Sequence, residues 1–497
     1  MSIQRVFRSG VWLYLGTSIS SIISYFYWFI ASTIVAPDIV GSAAAVISLY
    51  GLLISTFSLG LPAGLQRFLS ISDSKRDYAS LSSYFSSALG CLVILNIPIV
   101  VIVYLLSIEY TSFISLNSLE VLLISILVLI SFSTTLFQSF FISLLKTESS
   151  AAPQIISSIS KLVIGYLLLT MGFGFLGLMS GFIASSLVLQ ILLVVLFVFE
   201  YRRLKLKVLF STSKIKDLFQ ASLPAWAPNF LSTFGQSLGV LFIYSLIGQA
   251  DTGLYFLALA VASVVTLFPA SLQGMMYPYL SSMVDEREVM TIRMVRLSMV
   301  LTAPFVFIVF TYSSLPFSIL GSQYMAASLL LSILVLSGLI APIVSGYFSY
   351  AYARGEYKNV TILGLSTNIS RVFLYLILII VLGALGASIS YTIGMLFGLL
   401  VVIIYTKRTR LNLRWSEYAK AVTVPLVISI PLILYDITWI LGIPILLFGC
   451  LIIYARMSLL SKDDIRELAK AFLSDGFISR MYPFVSPLIR LMFGNID

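Results

Sequence analysis

Residues 176–207 read LGLMSGFIASSLVLQILLVVLFVFEYRRLKLK. From Leu176 to Phe199 the segment carries no charged side chain. Such a run is typical of an α-helix that crosses a bilayer, because a spanning helix needs roughly 20 mainly apolar residues. Four basic residues follow it between positions 202 and 207. They predict that this end of the helix faces the cytoplasm, since cytoplasmic loops carry an excess of Lys and Arg.

The composition of the whole chain agrees with a membrane protein. Of the 497 residues 59% are hydrophobic and 10% are charged, and the mean hydropathy is +1.05. A soluble protein has more charge than this. The net charge of +10 does not indicate a nucleic-acid partner, because the basic residues flank apolar spans. Long runs without two-residue alternation exclude a β-barrel, so the prediction is an all-α integral membrane protein.

The chain contains about fourteen spans of this kind. They lie near residues 9–36, 41–69, 79–107, 119–145, 152–171, 176–200, 217–248, 253–282, 291–313, 326–353, 359–382, 386–406, 419–435 and 438–457. Basic residues collect in alternate gaps between the spans, and the other gaps contain only acids: Asp38, Glu109, Glu120, Asp251 and Asp436. This asymmetry predicts a multi-pass protein of the cell membrane with both termini in the cytoplasm.

Short motifs repeat between the two halves of the chain. Ile34–Gly41 and Leu246–Gly253 both place an acid and a glycine before a long apolar span. These glycines are 212 positions apart (253 − 41), and two further motif pairs have offsets of 208 and 209. We therefore expect two parallel six-helix repeats around a central cavity, because an even number of helices preserves orientation.

The predicted organisation has four parts. An N-terminal six-helix half covers 1–208, and a C-terminal six-helix half covers 209–410. Two additional transmembrane helices follow in 411–460, and a cytoplasmic amphipathic helix and tail occupy 461–497. The residues Ser461 to Asp464 resemble a capping box at the start of that last helix.

Two basic residues stand inside predicted spans. Lys161 lies in the fifth span and Arg371 in the eleventh, where a charge costs roughly 2.5 to 3.5 kcal/mol near the helix centre. Their separation (371 − 161 = 210) matches the repeat offset, so we expect them to face each other across the repeat axis. No Asp or Glu lies in a span interior. The pair is therefore a candidate anion site, and the alternative is that both side chains snorkel to the interface.

Several polar residues complete the candidate substrate-binding set. Pro224 and Pro228 are expected to break the cytoplasmic half of the seventh span. Asn229 and Gln236 follow seven residues apart on one face of that span, and the offset of 212 relates them to Thr17 and Ser24. The remaining candidates are Gln273 and Tyr277 in the eighth span and Arg67 at the end of the second. These groups suit sugar hydroxyls and anionic head groups, although the polar ones could equally pair helix to helix.

The sequence resembles Wzx-type polysaccharide and oligosaccharide flippases, which belong to the multidrug/oligosaccharidyl-lipid/polysaccharide exporter superfamily. The resemblance rests on the opening Gly-x-x-x-Tyr-x-Gly helix, on Ile34 to Arg67 and on its echo near Gly253, and covers roughly residues 5 to 460. It implies a V-shaped cavity that takes a polyprenyl-diphosphate oligosaccharide from the cytoplasmic side. It also implies that Lys161 and Arg371 are candidates to bind the diphosphate.

The predicted function is therefore movement of a polyprenyl-(di)phosphate-linked oligosaccharide to the outer leaflet by alternating access. A cation-coupled multidrug antiporter is the first alternative, but proton relays need intramembrane Asp, Glu or His, and the chain has no histidine. A membrane glycan polymerase or ligase is the second, although the predicted external loops are short. The sequence predicts a monomeric non-enzyme whose partners are the lipid-linked oligosaccharide and membrane lipids, with no cofactor or metal.

Overall fold

The computed structural model describes residues 3–109, 118–282, 286–409, 411–466 and 493. Within these ranges the regular elements are all helical, and no strand occurs. The α-helices are α1 (Ile3–Ile34), α2 (Pro37–Phe57), α3 (Leu61–Ser74), α4 (Tyr78–Glu109), α5 (Ser118–Ser143), α6 (Glu148–Thr170), α7 (Gly174–Arg203), α8 (Thr212–Leu246), α9 (Gln249–Ser282), α10 (Arg287–Thr311), α11 (Leu315–Leu320), α12 (Ala327–Val335), α13 (Ser337–Ala353), α14 (Tyr357–Leu382), α15 (Ala384–Thr409), α16 (Trp415–Leu434) and α17 (Trp439–Arg456). The all-α prediction is confirmed.

The helices account for the predicted spans. Among the described residues, eleven helical stretches are long and apolar enough to cross a membrane. The predicted spans 9–36, 79–107 and 217–248 fall on α1, α4 and α8. The protein is a multi-pass membrane protein.

The second predicted span is not one helix. It divides into α2 and α3 at Leu59 and Gly60, whose φ angles of 44° and 70° are left-handed. A Cβ at Gly60 would lie 2.9 Å from the Cβ of Trp226, so the break lets α8 approach closely. Arg67 therefore lies in the middle of α3. The expectation that it stands at the end of a helix is wrong.

The predicted break at the two prolines of the seventh span is wrong. Helix α8 runs without interruption through Pro224 and Pro228. Packing against α2 holds this stretch, because Trp226 Nε1 donates a hydrogen bond of 2.7 Å to the carbonyl of Ser55. A proline inside a membrane helix removes one backbone hydrogen bond, and neighbouring helices can offset that loss.

The repeated glycines mark a close crossing of α2 and α9. A Cβ on Gly41 would strike the carbonyl of Gln249, and a Cβ on Gly253 would strike the carbonyl of Pro37. The two contacts are reciprocal, and larger residues would force the helices apart. The same requirement explains Gly60 and Gly64, where a Cβ would approach the carbonyls of Ser222 and Leu218 on α8.

Contacts divide the chain into two compact units. The first comprises Met1–Ala260, Ser318–Ala327 and Gly364–Gly394, and its core contains fully buried Tyr27, Leu65 and Phe140. The second comprises Val261–Phe317, Ser328–Leu363 and Met395–Asp497, and its core includes Val300, Tyr347, Leu446 and Tyr454. These limits differ from those of the predicted halves, and the parallel six-helix repeat stays a prediction.

The predicted capping box is confirmed. The backbone N–H of Ser461 donates to Asp464 Oδ2 at 3.1 Å, and the N–H of Asp464 donates to Ser461 Oγ at 3.0 Å. Asp464 is also paired with Arg293 at 2.7 Å and with Arg296 at 3.2 Å. Burial alone would raise the pKa of Asp464, but the hydrogen bonds from Arg293 and Ser461 hold it below its usual value. The amphipathic helix predicted beyond residue 466 lies outside the described residues.

Candidate substrate-binding site

Both intramembrane cations lie near the middle of their helices. Lys161 is 13 residues from the start of α6, which is about 20 Å along the axis, and Arg371 is 14 residues from the start of α14, about 21 Å. Lys161 is 6% exposed and Arg371 is 2% exposed. Both side chains are therefore enclosed by neighbouring helices.

The Lys161 cluster joins three helices of the first unit. Lys161 Nζ donates a hydrogen bond of 2.6 Å to Ser24 Oγ on α1. The ammonium group also lies 4.7 Å from the ring centroid of Phe182 on α7 and 5.5 Å from that of Tyr27 on α1. A desolvated cation over aromatic rings gains about 2 kcal/mol. These contacts, rather than a carboxylate, offset the cost of burying the charge.

Small residues allow these three helices to approach. A Cβ on Gly165 would overlap the Tyr27 ring, and a Cβ on Gly181 would lie 2.9 Å from the carbonyl of Lys161. Tyr27 spans the cluster and donates a hydrogen bond of 2.6 Å from its hydroxyl to the carbonyl of Leu178. Lys161 is thus enclosed by ordered groups.

The Arg371 cluster has a related arrangement on α14, α15 and α8, also in the first unit. The Cζ atom of Arg371 lies 3.8 Å from the ring centroid of Tyr391 on α15. Arg371 Nη1 donates a long hydrogen bond of 3.3 Å to Asn368 Oδ1, one turn earlier on α14. Helix α15 passes directly over the arginine, since a Cβ on Gly394 would be 2.8 Å from Arg371 Cβ. Arg371 is therefore held flat against a ring.

Arg371 is left incompletely satisfied. Its Nε–H is buried and has no hydrogen-bond partner among the described residues. No ion pair within those residues includes Lys161 or Arg371; the basic residues that are paired include Lys146 with Glu200 and Arg354 with Glu356. A buried guanidinium with an unused donor can accept an anionic ligand, because charge-assisted hydrogen bonds to phosphate or carboxylate oxygens are strong.

The predicted polar faces lie beside these cations. Asn229 and Gln236 are both exposed on α8, and Thr17 is exposed on α1. Ser24, which continues the face of Thr17, is the residue that binds Lys161. On α8, Gly235 adjoins Gln236 and contacts Asn368, where a Cβ on the glycine would be 2.9 Å from the Asn368 Cβ. Ser24 thus joins Lys161 to the face of Thr17, whereas Arg371 contacts Asn368, which packs on the glycine next to Gln236.

Among the described residues, Arg67 has no contact with either cluster. Arg67 is exposed on α3, with its guanidinium 5.9 Å from the centroid of its neighbour Phe68. Gln273 and Tyr277 belong to α9, but their side chains lie outside the described part of the structure. No described contact joins Lys161 to Arg371, so their expected approach across a repeat axis stays a prediction.

Four contacting residues were missed in the sequence: Tyr27, Phe182, Asn368 and Tyr391. A signal for two of them was present, because Tyr391 follows Phe182 by 209 positions (391 − 182), the same offset as one of the repeated motif pairs. An aromatic residue at matching places on α7 and α15 could have been proposed as a partner for each cation. Asn368 lies one turn before Arg371, yet many residues have that spacing and it carries no signal alone.

The sequence matches one protein family over more than half of its length. The model of the family described as "Polysaccharide biosynthesis protein" matches residues 6–284. A comparison with the curated proteins finds no match.

Solved membrane transporters share the fold. A structure titled "Lipid II flippase MurJ, inward closed conformation" has a TM-score of 0.73 and 16% identity, covering 90% of this chain and 100% of that one. An inward-facing multidrug resistance MATE family transporter of the MOP superfamily has a TM-score of 0.64 and 16% identity, with 82% and 99% covered. A MOP superfamily transporter from Pyrococcus furiosus has a TM-score of 0.55 and 15% identity, with 82% and 95% covered.

Proposed function

The chain belongs to the family of polysaccharide biosynthesis proteins, and from this membership we propose that it is a flippase for lipid-linked oligosaccharides. The substrate is a polyprenyl-(di)phosphate-linked oligosaccharide, which moves from the cytoplasmic to the outer leaflet by alternating access. Support comes from the fold, which is also that of a lipid II flippase. A lipid-linked glycan combines an anionic phosphate group with many hydroxyl groups, so its carrier needs a protected cation beside polar side chains.

The observation that carries this proposal is the state of Arg371. Its guanidinium is 2% exposed, has no acidic partner among the described residues and keeps a buried Nε–H without an acceptor. The planar fork of an arginine matches two phosphate oxygens, and its charge persists at any physiological pH. In the proposed mechanism a (di)phosphate completes the hydrogen bonds of Arg371 when the surrounding helices open.

The remaining candidates have subordinate roles in the proposal. Lys161 adds positive charge, but its ammonium group already donates a hydrogen bond to Ser24 and lies against two aromatic rings. Asn229 and Gln236 are exposed and offer amide groups to sugar hydroxyls. Gln273 and Tyr277 are proposed as further polar groups for the sugar, and Arg67 is proposed to attract the anionic head group before entry.

A cation-coupled multidrug antiporter is the second candidate, because MATE transporters share the fold. Such coupling requires a titratable group at membrane depth, most often a carboxylate. The described acids lie within the first two turns or the last turn of helices or in connecting segments, as Asp38, Glu200, Asp217 and Asp251 do. This distribution favours the flippase.

The decisive test replaces Arg371 by methionine, which keeps most of the side-chain volume. Arg371→Met is expected to abolish translocation of a radiolabelled polyprenyl-diphosphate oligosaccharide in proteoliposomes. Its melting temperature in detergent should stay equal or rise, because an apolar residue of similar volume replaces an unpaired buried charge. Arg408→Met, at the exposed end of α15, is the matched control and should transport normally. Normal flux in Arg371→Met, or lost flux that follows a fall in melting temperature, would contradict the proposal.

The proposed orientation places both termini in the cytoplasm. Single cysteines at Asp38 and Asp436, which are exposed, should react with an impermeant thiol reagent in intact cells. Cysteines at Lys207 and Lys407, also exposed, should react only after the cells are opened. Labelling of Lys207→Cys in sealed cells would reverse the topology, because the basic gaps would then face outward.

A further inference from the structure

The segment that joins α7 to α8 lies along α4 as an extended strap. We define the strap as residues 206–211. Three alternate backbone N–H groups of the strap donate to serine hydroxyls of α4: Lys207 to Ser82 at 3.2 Å, Leu209 to Ser86 at 3.4 Å and Ser211 to Ser87 at 3.0 Å. In return, Ser87 Oγ donates to the carbonyl of Ser211 at 3.2 Å. In an extended chain alternate N–H groups point the same way, so one edge of the strap is fixed to α4.

The strap advances along α4 away from the start of that helix. Its contacts progress from Ser82 to Gly90, which is about 12 Å along the helix axis. A Cβ at Gly90 would be 2.6 Å from Cε2 of Phe210, so the glycine provides the space in which this ring lies. Ile94, one turn further along α4, is 62% exposed. The strap therefore reaches to within one turn of an exposed apolar residue of α4, the helix that coincides with the predicted span 79–107.

The strap presents apolar side chains outward beside exposed positive charge. Val208 is 78% exposed and Phe210 is 57% exposed, and Leu206 alone of the strap's apolar residues is buried. The exposed basic residues that flank or belong to it are Arg202, Arg203, Lys205, Lys207 and Lys216. The acid nearest to them on α7 is Glu200, which is paired with Lys146 and with Arg203. Asp217 adjoins Lys216 in sequence, but no ion pair among the described residues includes Arg202, Lys205, Lys207 or Lys216.

The connection that follows α15 provides a contrast. Lys407 and Arg408 are exposed at the end of α15, as Arg202 and Arg203 are at the end of α7. The apolar residues after them, Leu411 and Leu413, are only 2% and 8% exposed and belong to the core of the second unit. Exposed apolar residues are therefore not a general property of the basic connections in this chain.

We propose that the strap is a binding site for acidic phospholipid in the leaflet at which α7 ends. Phosphate groups would contact Arg202, Lys205 and Lys207, and acyl chains would cover Val208 and Phe210. A soluble protein partner would not explain an apolar surface that extends toward a predicted spanning helix, and a free anion would not cover it. Clusters of four to eight basic residues next to a membrane helix attract acidic lipids electrostatically. This inference does not depend on the transported substrate.

The test uses the full chain reconstituted in vesicles. Val208→Cys is labelled with an environment-sensitive fluorophore; the native cysteines, Cys91 and Cys450, are buried and should stay unlabelled. The vesicles are phosphatidylcholine with an equal mole fraction of either brominated phosphatidylglycerol or brominated phosphatidylcholine. We expect quenching by the acidic lipid to be at least roughly fivefold stronger, and to weaken as salt is raised to about 0.5 M.

Two controls make this result specific. Changing Arg202, Arg203, Lys205 and Lys207 together to Gln should equalise quenching by the two lipids. A label at Asn412→Cys, which is exposed after α15, should show little preference in the unchanged protein. Equal quenching by both lipids at Val208→Cys would refute the site without any charge variant. Displacement of the acidic lipid by free pyrophosphate at constant ionic strength would instead indicate a site for any phosphate and would overturn the assignment to the leaflet.

Discussion

The Lys161 and Arg371 clusters have the same arrangement, but they differ in the hydrogen bonds and ring contacts that the protein makes to the charged group. Each cation lies in the middle of a helix, against an aromatic ring from the next helix of the chain. Lys161 has a short hydrogen bond of 2.6 Å and a second ring, whereas Arg371 has one ring, one long hydrogen bond of 3.3 Å and an unused Nε–H. A satisfied cation stabilises helix packing, and an unsatisfied one is available to a ligand. The difference assigns the proposed anion-binding role first to Arg371.

A second difference concerns a tyrosine and a glycine that exchange places. On the Lys161 side Tyr27 of α1 packs on Gly165 of α6, and on the Arg371 side Tyr375 of α14 packs on Gly239 of α8. The positions correspond at offsets of 212 (239 − 27) and 210 (375 − 165), close to those of the repeated motifs. Both helix pairs thus pack a tyrosine on a glycine, but the tyrosine lies on α1 in one pair and on α14 in the other. This pattern supports the proposed repeat, because either arrangement fills the same volume.

The largest expected effect is a difference in translocation rate between variants of Arg371 and variants of Lys161. Arg371→Lys should lower initial translocation rates in proteoliposomes roughly ten- to a hundredfold, since losing one charge-assisted hydrogen bond costs about 1.5 to 3 kcal/mol. Lys161→Met should lower them by no more than about threefold, because Lys161 is already satisfied within the protein. If Lys161→Met were as severe as Arg371→Met while the protein stayed folded, the two cations would be functionally equivalent and the comparison would fail.

Alanine at the exchanged glycines should have an intermediate effect on stability. Gly165→Ala would press on the Tyr27 ring, and Gly239→Ala would bring a Cβ to 2.8 Å from Tyr375 Cζ. Each substitution is expected to lower the free energy of unfolding by about 1 to 3 kcal/mol through overpacking. Thermal unfolding of the purified variants measures this loss of stability.

Gly51→Ala is the matched control for the glycine variants. No atom lies within 4 Å of a Cβ at Gly51, a helical position on α2. This variant should be neutral or more stable by about 0.5 to 1 kcal/mol, the difference in helix preference between the two residues. The second-site change Tyr375→Leu should restore part of the stability lost in Gly239→Ala. A neutral Gly239→Ala would show that the close packing on that side is not required.

The smallest expected effect comes from removing a single hydroxyl. Tyr27→Phe should lower the free energy of unfolding by about 1 kcal/mol, because the carbonyl of Leu178 loses a buried hydrogen bond of 2.6 Å. Tyr375→Phe should change it by less, since its hydroxyl lies near that of Tyr255 but meets no acceptor in good hydrogen-bonding geometry among the described residues. Denaturation of both variants under one detergent condition tests the difference. Equal losses would mean that the Tyr375 hydroxyl has acquired a partner in solution.

Prediction from sequence succeeded where a short segment determines the structure by its own composition. The uncharged run from Leu176 to Phe199 identified α7 because bilayer thickness sets the length of a spanning helix. It failed at Leu59 and Gly60, where two left-handed residues divide a span whose composition remains apolar on both sides. It also failed at Pro224 and Pro228, where packing against α2 holds a helix that the local sequence would interrupt.

The candidate site divides in the same way. That Lys161 and Arg371 stand in apolar spans without a nearby acid follows from sequence alone, because charge and span length are local properties. That Ser24, Phe182 and Tyr391 surround them, and that one cation is satisfied and the other is not, was decided by the tertiary structure. Ser24 and Lys161 are 137 positions apart. A hydrogen bond or ring contact depends on angstrom distances between such residues, and helix packing sets those distances.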